Sequence, residues 1–468
     1  MKVEISKKRK ILMVITLLCG SFTTAFSETL LNNGLPTIMA EVHVSEMTVQ
    51  WLSTGYMLAA GVTMPLAAFL TNSVKLRTLF TSTMIIFLIG TIISATAINF
   101  PLLLLGRLIE GIAVGVNMPL IPNILALIFS PRHRGTVMGL AGIIINFGPA
   151  AGPTVSGIIV DYFSWRMLFI ILIPICLVVI IATQIFVKNV VTLHKSSLDL
   201  PSVFTSTIGL AILLFSFGQI GETGRLDWPI LLLQLIGLGI MIYFVKRQLQ
   251  VKNPLLEMRV FRAPSFRIGS TLAFLNTSSL MATELMLPLF NQNVLKVSPT
   301  ISGLMLIPSA IVMAVVSPIA GRLYDQIGIK KVAALGFSIG LITTVPMAFY
   351  SPTTSIFTVT ALYTIRCGGL NLAYSPISVY GLNALSQEYV VFGNTLMVNM
   401  NQIADAFANA IAATMQSLGA RHALTHGLAT NLATTHGFHW SFWSISVLNI
   451  IAVMLLFKLK NRSRIELK

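Results

Sequence analysis

Charge is what this chain has least of: only 10% of its 468 residues are Asp, Glu, Lys or Arg, against 55% apolar. No segment between the apolar runs is long enough to fold as a soluble domain, so a soluble enzyme or receptor module is excluded. Cysteine is equally scarce. Cys19, Cys176 and Cys367 stand far apart inside apolar runs, a distribution that excludes a disulfide framework and Cys-based metal ligation. No Gly-x-x-x-x-Gly-Lys-Ser/Thr segment occurs, so the chain has no phosphate loop with which to use ATP. Carboxylates are the scarcer sign, 15 against 31 Lys and Arg, giving a formal net charge of +16.

What is present is apolar sequence in runs of about 20 residues, the length an α-helix needs to cross a bilayer. Continuous runs favour helices over the alternating strands of a barrel. The expected fold is therefore an all-α polytopic membrane protein with fourteen transmembrane helices, near 11–39, 48–70, 79–99, 102–127, 135–160, 166–187, 200–220, 228–247, 267–290, 299–322, 332–350, 354–380, 391–418 and 439–458. The first run follows a basic cluster like a signal peptide, but it continues to about Met39 and reads as an uncleaved span. Basic residues recur at alternate connections: Lys2 to Lys10, Lys75 and Arg77, Arg132 and Arg134, Lys188 and Lys195, Lys246 to Arg267, Arg322, Lys330 and Lys331, and Lys458 to Lys468. That is a topology signal rather than a nucleic-acid footprint, and it puts both termini in the cytoplasm.

Four carboxylates lie inside these runs: Glu28, Glu110, Glu284 and Asp405. Each costs roughly 2.5 to 3.5 kcal/mol at bilayer depth on insertion scales, so together they point to a path for protons or charged solute. The chain also resembles itself. Ser27-Glu28-Thr29-Leu30-Leu31 in the first helix parallels Thr283-Glu284-Leu285-Met286-Leu287 in the ninth, and Arg107 with Glu110, Gly111 and Gly115 in the fourth parallels Arg366 with Gly368 and Gly369 in the twelfth. The expectation is two related six-helix bundles, 1–190 and 256–468, with an inserted two-helix hairpin at 191–255. In the thirteenth helix Asn394, Asn401, Asp405, Asn409 and Gln416 fall within about 80° of one another at about 100° per residue. This polar stripe serves either helix packing or transport.

Gly321-Arg322-Leu323-Tyr324-Asp325-Gln326-Ile327-Gly328-Ile329-Lys330-Lys331 resembles the G-x-L-x-D-x-x-G-x-[KR]-[KR] loop of the major facilitator superfamily. Gly148-Pro149-Ala150-Ala151-Gly152-Pro153 resembles the antiporter motif of its exporters, and Arg107-x-x-Glu110-Gly111 the pattern of its fourth helix. Trp165-Arg166, Leu287 to Gln292 and Gln402-Ile403-Ala404 match as well. With fourteen spans, the chain is similar to the drug:proton antiporter branch that includes EmrB-, QacA- and LmrB-type exporters. Three positions depart from that branch: Asn72 and Glu28 stand where it has Asp, and Asp405 where it usually has a small residue.

The resemblance implies proton-coupled efflux of hydrophobic or cationic drugs across the cell membrane of a bacterium, by alternating access between two bundles. Its partners are small substrates, protons and the lipid bilayer, with no enzyme activity, cofactor, metal or nucleic acid; an envelope adaptor is left open. Desolvation raises a carboxyl group's proton affinity and an approaching cation lowers it, so protons and cationic solutes compete for such a site. Glu28 and Glu284 are the expected exchangers, Arg107 their charge partner, and Asp405 a secondary candidate. Glu110 serves either coupling or a static pair with Arg107 at i, i+3. Asn32, Asn33, Arg366 and Asn401 are the expected polar cavity residues. Gly321, Arg322, Asp325, Gly328, Lys330 and Lys331 form the expected gating loop, and Gly148, Pro149, Gly152 and Pro153 the seal. His422, His426, His436 and His439 crowd the last external loop and read as solvated histidines rather than metal ligands. A membrane potential of about 150 mV acting on one net charge supplies roughly 3.5 kcal/mol, enough for a few-hundred-fold gradient of a neutral solute. A facilitator for one specific metabolite would share this fold.

Overall fold

The structure, a computed structural model, describes residues 7–31, 34–44, 46–129, 162–190, 199–223, 227–252 and 254–459, with isolated positions between 130 and 161. Among the described residues it is all-helical, with no strand. In chain order the helices are α1 (Lys7–Leu30), α2 (Leu35–Val42), α3 (Glu46–Thr63), α4 (Leu66–Ser73), α5 (Leu76–Ala95), α6 (Phe100–Ile128), α7 (Met167–Ile170), α8 (Leu172–Phe186), α9 (Leu200–Thr223), α10 (Trp228–Gln250), α11 (Pro264–Asn293), α12 (Pro299–Leu304), α13 (Ile307–Ile327), α14 (Ile329–Met347), α15 (Ile356–Asn383), α16 (Val390–Thr425) and α17 (Thr430–Leu456). The expected fifth helix, 135–160, falls almost wholly outside the described residues.

By length and composition nine of the described helices are able to cross a membrane, or ten when α3 and α4, bent by 53°, count as one span. The bend falls at Met64 and Pro65, where the proline ring denies the helix a backbone donor. α11, α15 and α16 are long enough, at 30, 28 and 36 residues, but bury polar side chains along their length: Ser, Thr and Asn in α11 and α16, Arg366 and Asn371 in α15. Side-chain caps fix several starts: Asn99 accepts from Leu102 N at 3.0 Å to open α6, and Ser355 from Thr358 N at 3.1 Å to open α15. Such caps each contribute about 1 kcal/mol.

One apolar core unites α1 through α8 around Phe80, Phe87, Trp165 and Phe169. Separate cores unite α11 through α17, around Phe290, Tyr363 and Phe442 and around Phe337 and Tyr380. A further cluster crosses between the two sets, joining Ala68 and Ala126 to Leu382, Val390 and Met397. Connections rich in Lys and Arg gather at one end of the bundle. There Lys10 Nζ donates to Ile128 O at 2.6 Å, Arg77 Nε to Val187 O at 2.9 Å and Asn383 Nδ2 to Tyr324 Oη at 3.4 Å.

The hairpin of α9 and α10 is not peripheral on both its helices. α9 packs against α3 and α16 at once, stacking Phe215 on Trp51 (ring centroids 5.9 Å apart) and setting Phe217 edge-on to Phe407 (5.7 Å). Its base is fastened by Arg247, which donates from Nε and Nη2 to the two oxygens of Asp199 at 2.8 Å each. Those bonds hold the Asp199 carboxyl below its usual range. Gln248 completes the base, donating to Ser202 Oγ at 2.5 Å and accepting from Leu256 N at 3.1 Å.

Candidate functional site

Two buried guanidinium groups organise the two sets of helices. In the first set α6 approaches α3 so closely that a Cβ at Gly111 would lie 2.5 Å from Tyr56 O, which is why a glycine stands there. That contact seats Arg107 between three helices. Its Nη1 donates to Glu110 Oε2 at 2.6 Å, Ser27 Oγ at 3.1 Å and Ser27 O at 3.4 Å, and its Nε to Leu52 O at 3.3 Å. The group lies 4.0 Å over the Tyr56 ring, and neither Arg107 nor Glu110 exposes any side-chain surface. Such a pair fixes α1, α3 and α6 together, because separating it would strand a charge in a dry interior. Glu110 is thus fully buried against Arg107.

Arg366 plays the same mechanical part in the second set. Its Nη2 donates to Ser279 O at 2.6 Å and Ser279 Oγ at 2.7 Å, and its Nε to Thr344 Oγ1 at 2.8 Å. Asn449 bonds to both Ser279 and Thr344, drawing in α17. Arg366 is fully buried, so it does not line accessible space as a cavity residue would. Its bonds parallel those of Arg107. Each guanidinium grips the carbonyl and hydroxyl of one serine, which makes Ser279 the counterpart of Ser27. Glu28 directly follows its serine, whereas Glu284 stands more than a helical turn beyond Ser279.

The remaining three acids are accessible. Glu284 is exposed, and Glu28 and Asp405 are half-buried, though each sits on a helix whose neighbouring residues are largely buried. None of the three forms an ion pair among the described residues. Glu28, on α1, lies within electrostatic reach of Asp405 and Glu284 from the opposite set of helices and of Arg107 from its own, and Glu284 within reach of Asp405. Asn409 Nδ2 donates to Asp405 Oδ1 at 2.8 Å. Asn401 is half-buried, donating to Tyr374 Oη at 2.9 Å and accepting from Thr277 Oγ1 at 3.3 Å, so it ties α11, α15 and α16 together beside the acids.

Toward the basic end the two sets of helices meet through α16, which packs on α6 and α4. Asn394 Nδ2 donates to Asn123 Oδ1 at 2.8 Å and to Pro119 O at 3.3 Å, and Asn123 Nδ2 to Thr395 Oγ1 at 3.2 Å. Gln387 Nε2 donates to Leu127 O at 2.9 Å, and the apolar cluster of Ala68, Ala126, Val390 and Met397 surrounds these bonds. One turn of α16 above its contact with Met118, made by Gln402, stands Asp405. Of this polar latch the sequence marks Asn394 through its polar stripe, and an asparagine beside Pro122 in an apolar helix is the signal that marks Asn123.

The expected gating loop is mostly helix. Gly321 is buried in α13, Arg322 and Asp325 are exposed on its last turns, and Lys330 and Lys331 are exposed on the first turn of α14. Only Gly328 turns, with φ 79°, a left-handed value that favours glycine. The last interhelical loop is short: α16 runs to Thr425 and α17 starts at Thr430, so all four histidines stand on or at the ends of helices. His422 and His426 have ring centroids 4.2 Å apart, His439 Nε2 bonds Tyr350 O at 2.6 Å, and no group of three metal-binding side chains occurs among the described residues. Asn32, Asn33, Gly148, Pro149 and Pro153 lie outside the described residues. Gly152 is within them: a Cβ there would lie 2.1 Å from Thr29 Oγ1, so this glycine touches α1 next to Glu28. Trp165 and Arg166 anchor α7. Trp165 Nε1 donates to Glu41 Oε2 at 2.7 Å and Arg166 Nη1 to Glu41 Oε1 at 2.5 Å, holding that carboxyl below its usual range.

Two helical sets, each braced by a buried arginine and bearing accessible acids that form no ion pair among the described residues, define a multi-pass membrane transporter rather than an enzyme. The chain belongs to the Major Facilitator Superfamily, whose family model matches residues 17–409. It is 37% identical over 96% of its length to the uncharacterized MFS-type transporter YcnB of Bacillus subtilis, covering 94% of that protein. It is 34% identical over 87% of its length to the lincomycin resistance protein LmrB of Bacillus subtilis, covering 85% of it. In fold it is similar to the human organic anion transporter MFSD10, with a TM-score of 0.66 at 16% identity, covering 97% of this chain and all of that one.

Proposed function

We propose that this protein is a drug exporter of the cell membrane that exchanges protons for hydrophobic or cationic compounds by alternating access. The observation that carries the proposal is that Glu28, Glu284 and Asp405, all accessible and in no ion pair among the described residues, come within electrostatic reach of one another from both sets of helices. Accessible acids in a membrane interior bind either a proton or a cation, and the two compete. Glu28 and Glu284 exchange, Asp405 adds a third acid, and Arg107, tied to Glu110, fixes the position of Ser27 beside Glu28. The latch of Asn123, Asn394 and Thr395 closes one end of the site while the other end receives or releases solute. Fourteen spans, with the basic end and both termini in the cytoplasm, accommodate this cycle. A drug as substrate is supported by LmrB, a relative named for lincomycin resistance.

The test is proton release from everted vesicles on adding candidate drugs, for wild type and Glu28→Gln. Drug-dependent proton flux in the wild type that is lost in the variant supports the reading. Flux unchanged in Glu28→Gln removes Glu28 from the mechanism, and transport of a single compound with no competition by unrelated dyes replaces the drug exporter with a specific facilitator.

A further inference from the structure

On the polar stripe of α16, Asp405 stands between two asparagines, Asn401 one turn before it and Asn409 one turn after. Asn401 uses both ends of its amide on neighbouring helices: its Nδ2 donates to Tyr374 Oη at 2.9 Å and its Oδ1 accepts from Thr277 Oγ1 at 3.3 Å. Asn409 uses one. Its Nδ2 donates to Asp405 Oδ1 at 2.8 Å, whereas its own Oδ1 is buried with no hydrogen-bond partner. Buried acceptors are seldom left empty, so this one asks for an occupant in another state of the protein.

The empty acceptor belongs to the same amide as the donor that holds Asp405. An ionised carboxylate only accepts and so takes the Nδ2 hydrogen, while a protonated carboxyl group also donates and needs an acceptor for its O–H. The amide carries one group of each kind. Its terminal torsion is two-fold, so a half-turn exchanges Oδ1 for Nδ2 with almost no change in the shape that packs, and the i, i+4 spacing keeps the two side chains in reach throughout. The ionisable groups around Asp405 are few. Glu284 of α11 and Glu28 of α1 lie within its electrostatic reach. Of the other helices packed on α16, α15 brings Tyr374, which is taken by Asn401, and α6 carries Arg107 paired with Glu110. The histidines of α17 lie at the level of Gln416, about three turns further along, and α4 and the described side chains of α9 include no ionisable group.

From this we infer that Asn409 is the positioning residue of Asp405: its Nδ2 holds the carboxylate, and after a half-turn of the amide its Oδ1 accepts from the protonated carboxyl group. The inference rests on the proton exchange proposed above and names the residue that serves its third acid. The proton comes from water at the accessible face of Asp405 and returns there. Only the Asp405 O–H bond forms and breaks; every other change is in hydrogen bonding. Asp405 thereby changes charge with its side chain held in one place, so Glu28 and Glu284 feel the change without any movement of the acid itself.

The experiment records infrared difference spectra between acid and alkaline pH on the full-length protein in lipid, for wild type, Asp405→Asn, Asn409→Leu and Asn409→Gln. The wild type is expected to show a carboxyl carbonyl band that is lost in Asp405→Asn, and a side-chain amide band that is lost in both Asp405→Asn and Asn409→Leu. In Asn409→Leu the Asp405 band moves to higher frequency, because its O–H has lost an acceptor, and in Asn409→Gln, which keeps the amide on a longer arm, it moves back toward the wild-type position. An asparagine that only packs would leave that band where it is. An Asp405 band at the same frequency in Asn409→Leu, or a wild-type spectrum lacking either the Asp405 band or the amide band, overturns the proposal. The wild-type and Asp405→Asn spectra decide even where Asn409→Leu does not fold. No drug is present in these measurements, so failure of the exchange reading, seen as absent drug-driven proton release in the wild type, registers separately.

Discussion

Asn394→Ala isolates the latch between the two sets of helices. The substitution removes the bonds from Asn394 Nδ2 to Asn123 Oδ1 and Pro119 O, while the neighbouring bond from Asn123 to Thr395 and the apolar cluster around it remain. At about 0.5 to 1.5 kcal/mol net per bond, the closed basic end loses about 1 to 3 kcal/mol. If that loss falls on the closed state alone, the equilibrium with the open state shifts roughly 5- to 150-fold. Gln387 donates to Leu127 O across the same seam at 2.9 Å, so Leu127→Cys with Gln387→Cys places a reporter pair there. The expected result is a fall in cross-linking by a short reagent when Asn394→Ala is added, approaching the full shift in the equilibrium only where the open state already dominates. The unfolding temperature serves as a control for general loosening. Cross-linking that is unchanged, or that falls only in step with a lower unfolding temperature, would refute the idea that these bonds select between states.

Three further outcomes follow from other contacts. Glu110→Ala strands the Arg107 guanidinium and is expected to cost about 3 to 5 kcal/mol of stability, with much of it restored in Arg107→Met with Glu110→Met; thermal unfolding of the three proteins decides. Gly152→Ala forces a methyl group against Thr29 Oγ1, and drug-driven proton release is expected to fall while membrane insertion, scored by expression in the bilayer, is retained. Asp199 titrates below its usual range because Arg247 bonds it, so the pair's stabilisation is present above the unfolded value of about 3.9 and is lost as pH falls through the lower folded value. An unfolding-temperature profile measured down through pH 4 should therefore show an acid drop in the wild type that is smaller in Asp199→Asn.

Much of the fold was legible because a bilayer demands long apolar helices, and those runs can be seen one at a time. Boundaries were less so. The segment Gly321 to Lys331 looks like a loop because it is charged, yet α13 and α14 run through it and turn only at Gly328; charge at a helix end marks solvent, not loss of helix. The histidine-rich stretch misled in the same way. In the site, the acids stood out singly against an apolar background, whereas their convergence is a tertiary fact that no local pattern encodes. The repeat shows the limit most directly: matching Glu28 with Glu284 is the obvious alignment of letters, but the arginine bonds match Ser27 with Ser279. Serine is too common in these helices for its position to signal anything without its partner.

That shared serine grip also separates what is common to the two sets of helices from what is not. Arg107 and Arg366 each clamp three helices through one serine's carbonyl and hydroxyl, so the clamp is mechanical and does not depend on charge cancellation. Only the first set adds a carboxylate, Glu110, and thereby makes its clamp electrically neutral. The second clamp keeps its positive charge among neutral bonding partners, and Arg366 and Glu284 both act electrostatically on Tyr363 and Cys367. The positive charge therefore belongs to the same set of helices as two of the three accessible acids, Glu284 and Asp405. The two sets therefore share a clamp built on one serine but differ in its charge, neutral in the first and positive in the second.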